Sequence, residues 1–345
     1  MKYTTLPNTD INVSKICLGT MTWGEQNTQK EAFEQLNYAL EKGVNFIDTA
    51  EMYSIPARAE TQGSTETMIG NWLKQTQNRD KIILATKIAG PYRGFDHIRT
   101  PLDFSKKSIE DALHKSLKRL QTDYIDLYQL HWPERNVNIF GVRDYPYNPS
   151  EKVQDNFAQI LDTLEDFVKQ GKIRHIGLSN ETPWGLMKYM EEHRNGKLKM
   201  ITLQNAYNLL QRRDEIAVTE VLLQENIGYL PYSPLAFGVL TGKYLNNQQP
   251  EKARVTLFPA YRRYSSEPSL EATRRYQKIA HKHNLSLTQL ALAFVNQQPF
   301  VTSNIIGATT LDQLKENIDS INVTLSEEIL EEINEVHNGM PNPAP

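Results

Sequence analysis

Residues 173–204 hold the passage on which the fold turns: Ile173-Arg-His-Ile-Gly-Leu-Ser-Asn180, then Glu181-Thr182-Pro183, an amphipathic stretch, and Met200-Ile-Thr-Leu-Gln204. The two flanking runs are short and rich in Ile and Leu, as buried strands are. Thr182 and Pro183 read as the N-cap and first residue of a helix, because proline lacks an N–H that the first turn leaves unbonded anyway. A strand, a helix and a second strand make a βα unit on a parallel sheet.

Working outward, the same alternation repeats from residue 15 to residue 319. The strand candidates are Lys15–Thr20, Val44–Asp48, Lys81–Lys87, Tyr124–His131, Ile173–Asn180, Met200–Gln204, Ile227–Ser233 and Ser303–Gly307. Between them, apolar residues recur at three- and four-residue steps. Ala32, Phe33, Leu36, Ala39 and Leu40 form one stripe, closed by Gly43. Ile109, Leu113, Leu117 and Leu120 form a second, and Ile160, Leu161, Leu164 and Val168 lead to Gly171. Helical patterns near Leu270–His283 and Ser286–Gln297 both precede the last strand, so one is extra, and another follows near Ser326–Val336. Met1–Ser14 carries a Pro-Asn-Thr-Asp turn cluster between extended runs and reads as a hairpin plugging a barrel bottom. Eight βα units predict an α/β fold, a (β/α)₈ TIM barrel with an N-terminal β-hairpin and extra C-terminal helices. A doubly wound sheet is the alternative.

Length alone does not separate one barrel from two ordinary domains, since 345 residues compare with roughly 100–200 per domain. The absence of a Gly/Ser linker or low-complexity tract favours a single domain over 1–345. Lys+Arg of 38 against Asp+Glu of 41 gives a net charge of −3, which argues against nucleic acid as a partner. No stretch approaches the roughly 20 apolar residues of a membrane span, and the N-terminus has no apolar signal core. A cytoplasmic protein with no membrane partner is expected. The single cysteine, Cys17, excludes an internal disulfide and reads as inert core in its apolar run. Monomer is the default.

In a barrel of this kind the site lies where the strands end. Those ends are polar here: Asp48, Lys87, His131, Ser179 with Asn180, Gln204, and Ser233. Taken singly, each is explained as a cap or a satisfied polar residue; together they ring one mouth. Asp48 and Lys87 end adjacent strands, where a withdrawn ammonium needs a partner. A structural ion pair accounts for them as well as a catalytic one. Tyr53 follows Asp48 by five residues, close enough for a loop to fold it back. A phenol, with an ordinary pKa of about 10, needs a nearby cation to work at neutral pH, and Lys87 is the candidate. His131 would orient a carbonyl oxygen.

Asp48-x-Ala50-x-x-Tyr53, Lys87 after Ala85-Thr86, and His131-Trp132 resemble the Asp/Tyr/Lys/His tetrad of the aldo-keto reductases. The likeness runs from Leu18-Gly19-Thr20 through Leu178-Ser179-Asn180 and Tyr232-Ser233-Pro234-Leu235 to Gly307-Ala308-Thr309 and Glu316-Asn317. Within the family the sequence resembles in particular the bacterial Tas-type members, in Glu51-Met52-Tyr53, Arg254-x-Thr256-Leu257-Phe258 and the Pro343-Ala344-Pro345 ending. Potassium-channel β subunits are a more distant likeness. The resemblance implies a barrel that reduces aldehydes or ketones with NADPH, without metal or flavin. Tyr53 would donate the proton, Lys87 would lower its pKa, Asp48 would hold Lys87, and His131 would position and polarise the substrate.

By the same resemblance, Ser179, Asn180 and Gln204 would hold the nicotinamide carboxamide and Tyr232 would stack on its ring, with Gly19, Thr20, Met21 and Asp48 beside them. No Gly-x-Gly-x-x-Gly follows the first strand, so a dinucleotide must be held otherwise than in a Rossmann fold. Gly238-Val-Leu-Thr-Gly-Lys243 is one residue short of a Walker A loop, and Tyr244 replaces its Ser/Thr, which rejects ATP. The family-like reading has the Ser233–Lys243 loop, with Ser233, Pro234, Leu235, Gly238 and Lys243, wrap the pyrophosphate. The last helix would start near Thr310 and favour an anion at its N-terminus. Gly307 and Gln313 depart from the Lys and Arg of aldose-reductase-like members, and Thr310-x-x-Gln313 is also a capping box. Channel-β-like members have glutamine at that place and still prefer NADP, an arginine matching Arg254 supplying the charge, so NADP(H) is the cofactor the resemblance implies, with Thr309, Glu316 and Asn317 also near it.

Long segments follow three strand ends: Ser54–Ser64, Ile88–Phe104 and Trp132–Asp155. With Trp23, Tyr92, Trp132, Phe140, Tyr145 and Tyr147 they suit an aromatic-walled pocket for an apolar or aromatic carbonyl, Trp23 and Trp132 nearest the substrate beside Tyr53 and His131. Loop packing explains the same residues equally well. His281 and His283, two apart on a helix, cannot share a metal. Arg212-Arg213, Arg262-Arg263 and Arg274-Arg275 read as solvated faces, with only Arg262-Arg263 in a loop able to reach phosphate. Two rival readings remain: an NADP(H)-sensing regulatory module with incidental turnover, and a phosphate-binding barrel isomerase.

Overall fold

A computed structural model describes residues 1–344. The chain opens with an antiparallel hairpin, β1 (Tyr3–Thr5) and β2 (Asn12–Ser14). Eight parallel strands follow: β3 (Ile16–Gly19), β4 (Phe46–Asp48), β5 (Ile83–Ile88), β6 (Ile125–Leu130), β7 (Ile173–Ser179), β8 (Met200–Gln204), β9 (Gly228–Tyr229) and β10 (Asn304–Ile306). They pair in chain order from β3 to β9, and β10 returns beside β3. Tyr229 pairs with Val301 and Tyr232 with Ile305, and the Ile305 N–H donates to the Pro231 carbonyl at 2.9 Å, which closes the ring. The sheet is therefore a (β/α)₈ barrel, not a doubly wound open sheet, whose strand order reverses at a switch point.

β9 is far shorter than the apolar run Ile227–Ser233. Pro231 has no N–H to give a ladder, so regular pairing stops before it and resumes only as single bridges at Tyr232.

The helices are α1 (Gln29–Glu41), α2 (Ser64–Thr76), α3 (Lys106–Leu120), α4 (Phe157–Lys169), α5 (Pro183–Arg194), α6 (Val218–Gln224), α7 (Arg254–Leu257), α8 (Glu267–Lys282), α9 (Leu287–Gln297), α10 (Leu311–Asp319) and α11 (Glu327–Gly339). Thr182 caps α5 by accepting from the Gly185 N–H, with Pro183 in the first turn. Gly43 and Gly171 follow α1 and α4 at φ 80° and 72°, the left-handed conformation that ends a helix. The short α7, α8 and α11 are the helices beyond a plain eightfold count.

Leu6, Ile11 and Val13 of the hairpin pack on Cys17, Phe46, Ala85, Leu127 and Leu230 inside the barrel bottom, so the hairpin is a plug and Cys17 is core. Two-residue alternation then puts Asp48, Lys87 and Gln129 on the inward row directly above Phe46, Ala85 and Leu127. No helix among the described residues is long and apolar enough to cross a membrane. Pro345 lies outside the described residues.

Candidate active site

The inward polar row is one hydrogen-bonded unit. Lys87 Nζ donates to Asp48 Oδ1 at 2.6 Å and to the Thr49 carbonyl at 2.7 Å. Asp48 Oδ2 accepts from Gln129 Nε2 at 3.2 Å and from Gln204 Nε2 at 2.9 Å. Lys87 is wholly buried and Asp48 nearly so, which makes each the other's necessary counter-charge.

Beyond Asp48 the chain turns back on itself, as the five-residue spacing to Tyr53 predicts. The Ile55 N–H donates to the Met21 carbonyl and the Gly63 N–H to the Tyr53 carbonyl. Buried Glu51 ties this loop to the one after β5 by accepting from the Ala89 N–H at 2.8 Å and from Arg99 Nη2 at 2.7 Å. The outcome is that Lys87 Nζ lies 5.0 Å from the Tyr53 ring centroid. His131, two residues past Gln129, sets its ring edge-on to Tyr53, centroids 5.8 Å apart.

Electrostatics departs from expectation at the phenol. Burial raises the Tyr53 pKa and Asp48 adds to it, while Lys87 and Arg254 pull it down; the net direction is up, not down. The reason is burial above all, with Asp48 offsetting part of the lysine's pull. Burial lowers the Lys87 pKa, but Asp48 and Tyr53 outweigh it and the ammonium titrates above its ordinary value. Burial, helped by Lys87, holds His131 well below the ordinary histidine range, so the ring is neutral at pH 7. Its Nδ1 is buried without a hydrogen-bond partner.

These groups border a cleft of about 570 Å³ at the C-terminal mouth of the barrel. It gathers Gly19, Thr20, Met21, Asp48, Tyr53, His131 and Trp132, then Ser179, Asn180, Gln204, Tyr232, Ser233, Pro234, Leu235, Gly238, Lys243 and Arg254, and finally Gly307, Thr309, Gln313, Glu316 and Asn317. Lys87 stands behind Asp48 and Tyr53. Both protons of Asn180 Nδ2 go to Ser179 Oγ and the His131 carbonyl, and its Oδ1 accepts from the Tyr232 hydroxyl at 2.6 Å, which fixes the tyrosine ring.

After Ser233 the backbone is left-handed at Ser233, Ala236, Phe237 and Gly238, bending the loop to Lys243 around the cleft wall. A Cβ at Gly238 would lie 2.8 Å from Lys243 Nζ, so glycine leaves the ammonium its place. Thr310 caps α10 by accepting from the Gln313 N–H. Gln313 Oε1 reaches back to the Thr309 N–H at 3.0 Å rather than to the cap residue, half of the capping box read from the sequence. Gly307 has no atom near its absent Cβ, an opening beside this helix N-terminus.

A dinucleotide fits what these residues offer: a flat aromatic face, an orphaned imidazole nitrogen, a glycine-bent loop with a lysine, and the free N–H groups of a helix start.

Trp23 is not part of the cleft. Its ring is fully buried between α1 and α2, the indole N–H bonded to Gln35 Oε1 and its carbonyl to Thr65 Oγ1. Tyr92, Tyr145 and Tyr147 face solvent, whereas Phe95, Phe237 and Tyr261 join Trp132 and Phe140 as walls. Arg212 is no solvated residue either: it is buried and grips Glu215 at 2.7 Å. Sequence reasoning passed over Gln129 and Arg93, took Glu51 only as part of the family likeness, and read Arg262-Arg263 as a solvated pair in a loop able to reach phosphate. The signal for Gln129 was an amide inside an otherwise apolar strand. Among the described residues, one histidine–carboxylate cluster occurs, His283 with Glu328 and Glu332, and Lys282 occupies both carboxylates.

The chain is similar over its whole length to Protein tas of Escherichia coli (strain K12), 48% identical with 100% of each chain covered. It is 33% identical to the uncharacterized oxidoreductase YrpG of Bacillus subtilis (strain 168), covering 98% of this chain and 97% of that one. An aldo-keto reductase of Babesia bovis is 38% identical over 74% of this chain and 96% of its own. The profile of the Aldo/keto reductase family matches residues 15–338, and with the closed barrel and its inward tetrad this means that the chain belongs to the aldo/keto reductase family of oxidoreductases.

Proposed function

We propose that the protein reduces aldehyde or ketone carbonyls to alcohols with NADPH, Tyr53 giving the proton. The observation that carries this reading is the convergence of four groups from the ends of three strands, β4 with its following loop, β5 and β6: Lys87 bonded to Asp48 and lying 5.0 Å from the Tyr53 ring, with the His131 ring 5.8 Å from Tyr53.

Ser179, Asn180, Gln204 and Tyr232 would hold the nicotinamide, the Ser233–Lys243 loop the pyrophosphate, and Arg254 with the α10 N-terminus the 2′-phosphate. The chemistry such a cofactor supplies is a hydride to the carbonyl carbon. The Tyr53 hydroxyl passes its proton to the carbonyl oxygen as the C=O bond becomes C–O–H. A raised pKa keeps that proton on the phenol through neutral pH, which suits a donor. The phenolate left behind faces the Lys87 ammonium, and Asp48 keeps Lys87 aimed and charged. Neutral His131 offers a ring N–H to the carbonyl oxygen, fixing its position and polarising it. The expected partner is a small carbonyl compound, met in the cytoplasm by a monomer; lone, buried Cys17 suits a reducing compartment.

The test is purified protein with NADPH and a panel of aldehydes, followed by loss of reduced-cofactor absorbance, with Tyr53→Phe as control. Turnover that needs the hydroxyl supports the reading. NADPH binding with no turnover of any carbonyl favours the sensing module instead.

A further inference from the structure

The cleft gathers positive charge at two separate places. Arg93, Lys243, Lys252, Arg254 and Arg263 line it against two carboxylates, Asp48 and Glu316. Asp48 is held by Lys87, and Glu316 accepts from Ser286 Oγ at 2.6 Å. No carboxylate acts on the guanidiniums of Arg93, Arg254 or Arg263; their neighbours are tyrosines and one another. Each of the three is partly withdrawn from water, and a guanidinium so placed without a counter-anion is a place where an incoming anion gains most. The phosphates of a dinucleotide account for Lys243 and Arg254, which belong to the loop after β9 and to the start of α7.

Arg93 and Arg263 lie elsewhere. Contacts step outward from His131 to Trp132 (ring centroids 4.9 Å apart), to Phe140 (5.9 Å) and to the Arg93 guanidinium over that ring (5.1 Å). Arg263 meets the same spot from the opposite loop: its side chain packs at the place of the absent Gly141 Cβ, 3.6 Å away, and its guanidinium covers Phe237 and Tyr264 at 5.0 and 4.9 Å. Both arginines act on the Tyr232 hydroxyl. Aromatic faces hold a guanidinium in place while its edge N–H groups stay available, the arrangement that receives a carboxylate in two-pronged fashion.

We propose that the substrate is an apolar or aromatic aldehyde or ketone carrying an anionic group, received by Arg93 and Arg263 while its carbonyl sits at Tyr53 and His131. This rests on the reductase reading. The anion is a carboxylate or its equivalent on the substrate, and a cofactor phosphate is the competing source.

The experiment compares 4-carboxybenzaldehyde with 4-methylbenzaldehyde, and 4-formylcinnamate with its methyl ester, in the wild-type protein, Arg93→Gln and Arg263→Gln. The wild type should favour the anionic member of at least one pair by about tenfold in kcat/KM, mostly through KM, and each variant should bring that ratio toward one. No preference in the wild type, or an undiminished ratio in both variants, overturns the proposal. The Kd for NADPH is measured alongside; a loss there that matches the lost preference assigns these arginines to the cofactor and also overturns it. Should no aldehyde turn over, the reductase reading fails separately, and the anion site is read by quenching of tryptophan fluorescence in the presence of NADPH. Tighter binding of the anionic aldehyde by the wild type alone supports the site, and equal binding removes it.

Discussion

Lys87 Nζ stands 2.6 Å from Asp48 Oδ1 with both side chains out of water, so the charge of each depends on the other. Removing one partner leaves an uncompensated buried charge. Asp48→Asn and Lys87→Met should each cost about 3–5 kcal/mol of stability. The double variant should recover much of that loss without recovering turnover. Chemical denaturation of the four proteins checks this; a double variant as unstable as the sum of the singles would show that the pair does not interact.

Tyr53 is raised above the ordinary phenol range by burial and by Asp48, against the pull of Lys87 and Arg254. The reduction rate should therefore hold level through neutral pH and fall only above the ordinary tyrosine pKa of about 10. Tyr53→Phe should lower turnover by about 10²–10⁴ while NADPH still quenches the protein's fluorescence. Unchanged turnover in that variant would remove the phenol from the reaction.

His131 is depressed well below its ordinary value, first by burial and then by Lys87. Between that depressed value and about 6.5, the unfolded chain binds a proton that the folded one refuses. The stability owed to the neutral ring is thus complete above about pH 6.5 and is lost as the pH falls, at up to about 1.4 kcal/mol per pH unit for one proton. His175 and His337 are shifted the same way and contribute too. His131→Gln should make the acid limb of the stability curve shallower, measured by denaturant midpoints from pH 7 to pH 5. An unaltered slope would mean that the ring is already charged in the fold.

The barrel is legible in the sequence because parallel strands buried on both faces read as plain apolar runs and their helices as amphipathic stripes. The polar strand ends stand out against those runs, and the residues that they and the family likeness suggested border the cleft or stand just behind it, except Trp23, Tyr92, Tyr145 and Tyr147. Trp23 fails because the turn after Thr20 has no period to say which way a side chain points. There the Trp23 N–H bonds to the Thr20 carbonyl and Gly24 to Asn27, rolling the indole inward under α1 and α2. Tyr92, Tyr145 and Tyr147 fail for the same reason, while Arg263 hides in a dibasic pair whose two members part, one to solvent and one to the cleft. Net charges at Tyr53 needed coordinates, since burial and Asp48 oppose the lysine there.

Gly70 of α2 packs directly against the backbone at the end of α3. A Cβ there would fall 2.1 Å from the Arg119 carbonyl oxygen and 2.8 Å from the Leu120 carbonyl carbon, both backbone atoms that cannot yield alone. Gly70→Ala should destabilise the protein by about 1–3 kcal/mol or more despite alanine's better helix propensity. Gly339→Ala, with nothing near its absent Cβ, should cost nothing measurable. Equal thermal midpoints for the two variants would contradict the close crossing.

Arg254 at the start of α7 is half-buried in the cleft, its guanidinium 5.1 Å from the Phe237 ring and its Nη1 3.8 Å from Met21 Sδ. Burial lowers its pKa, yet an arginine so far above neutrality stays charged, and no carboxylate meets it. NADPH and NADH differ by the 2′-phosphate alone, so a cation serving that group should act on one and not the other. Arg254→Leu should weaken NADPH by about tenfold or more, the scale of a lost hydrogen bond to a charged group, and leave NADH nearly as before. Fluorescence titration with both dinucleotides measures the two constants side by side. If both weaken alike, Arg254 serves the shared pyrophosphate or the shape of the cleft, and the 2′-phosphate must be met by the N–H groups at the start of α10.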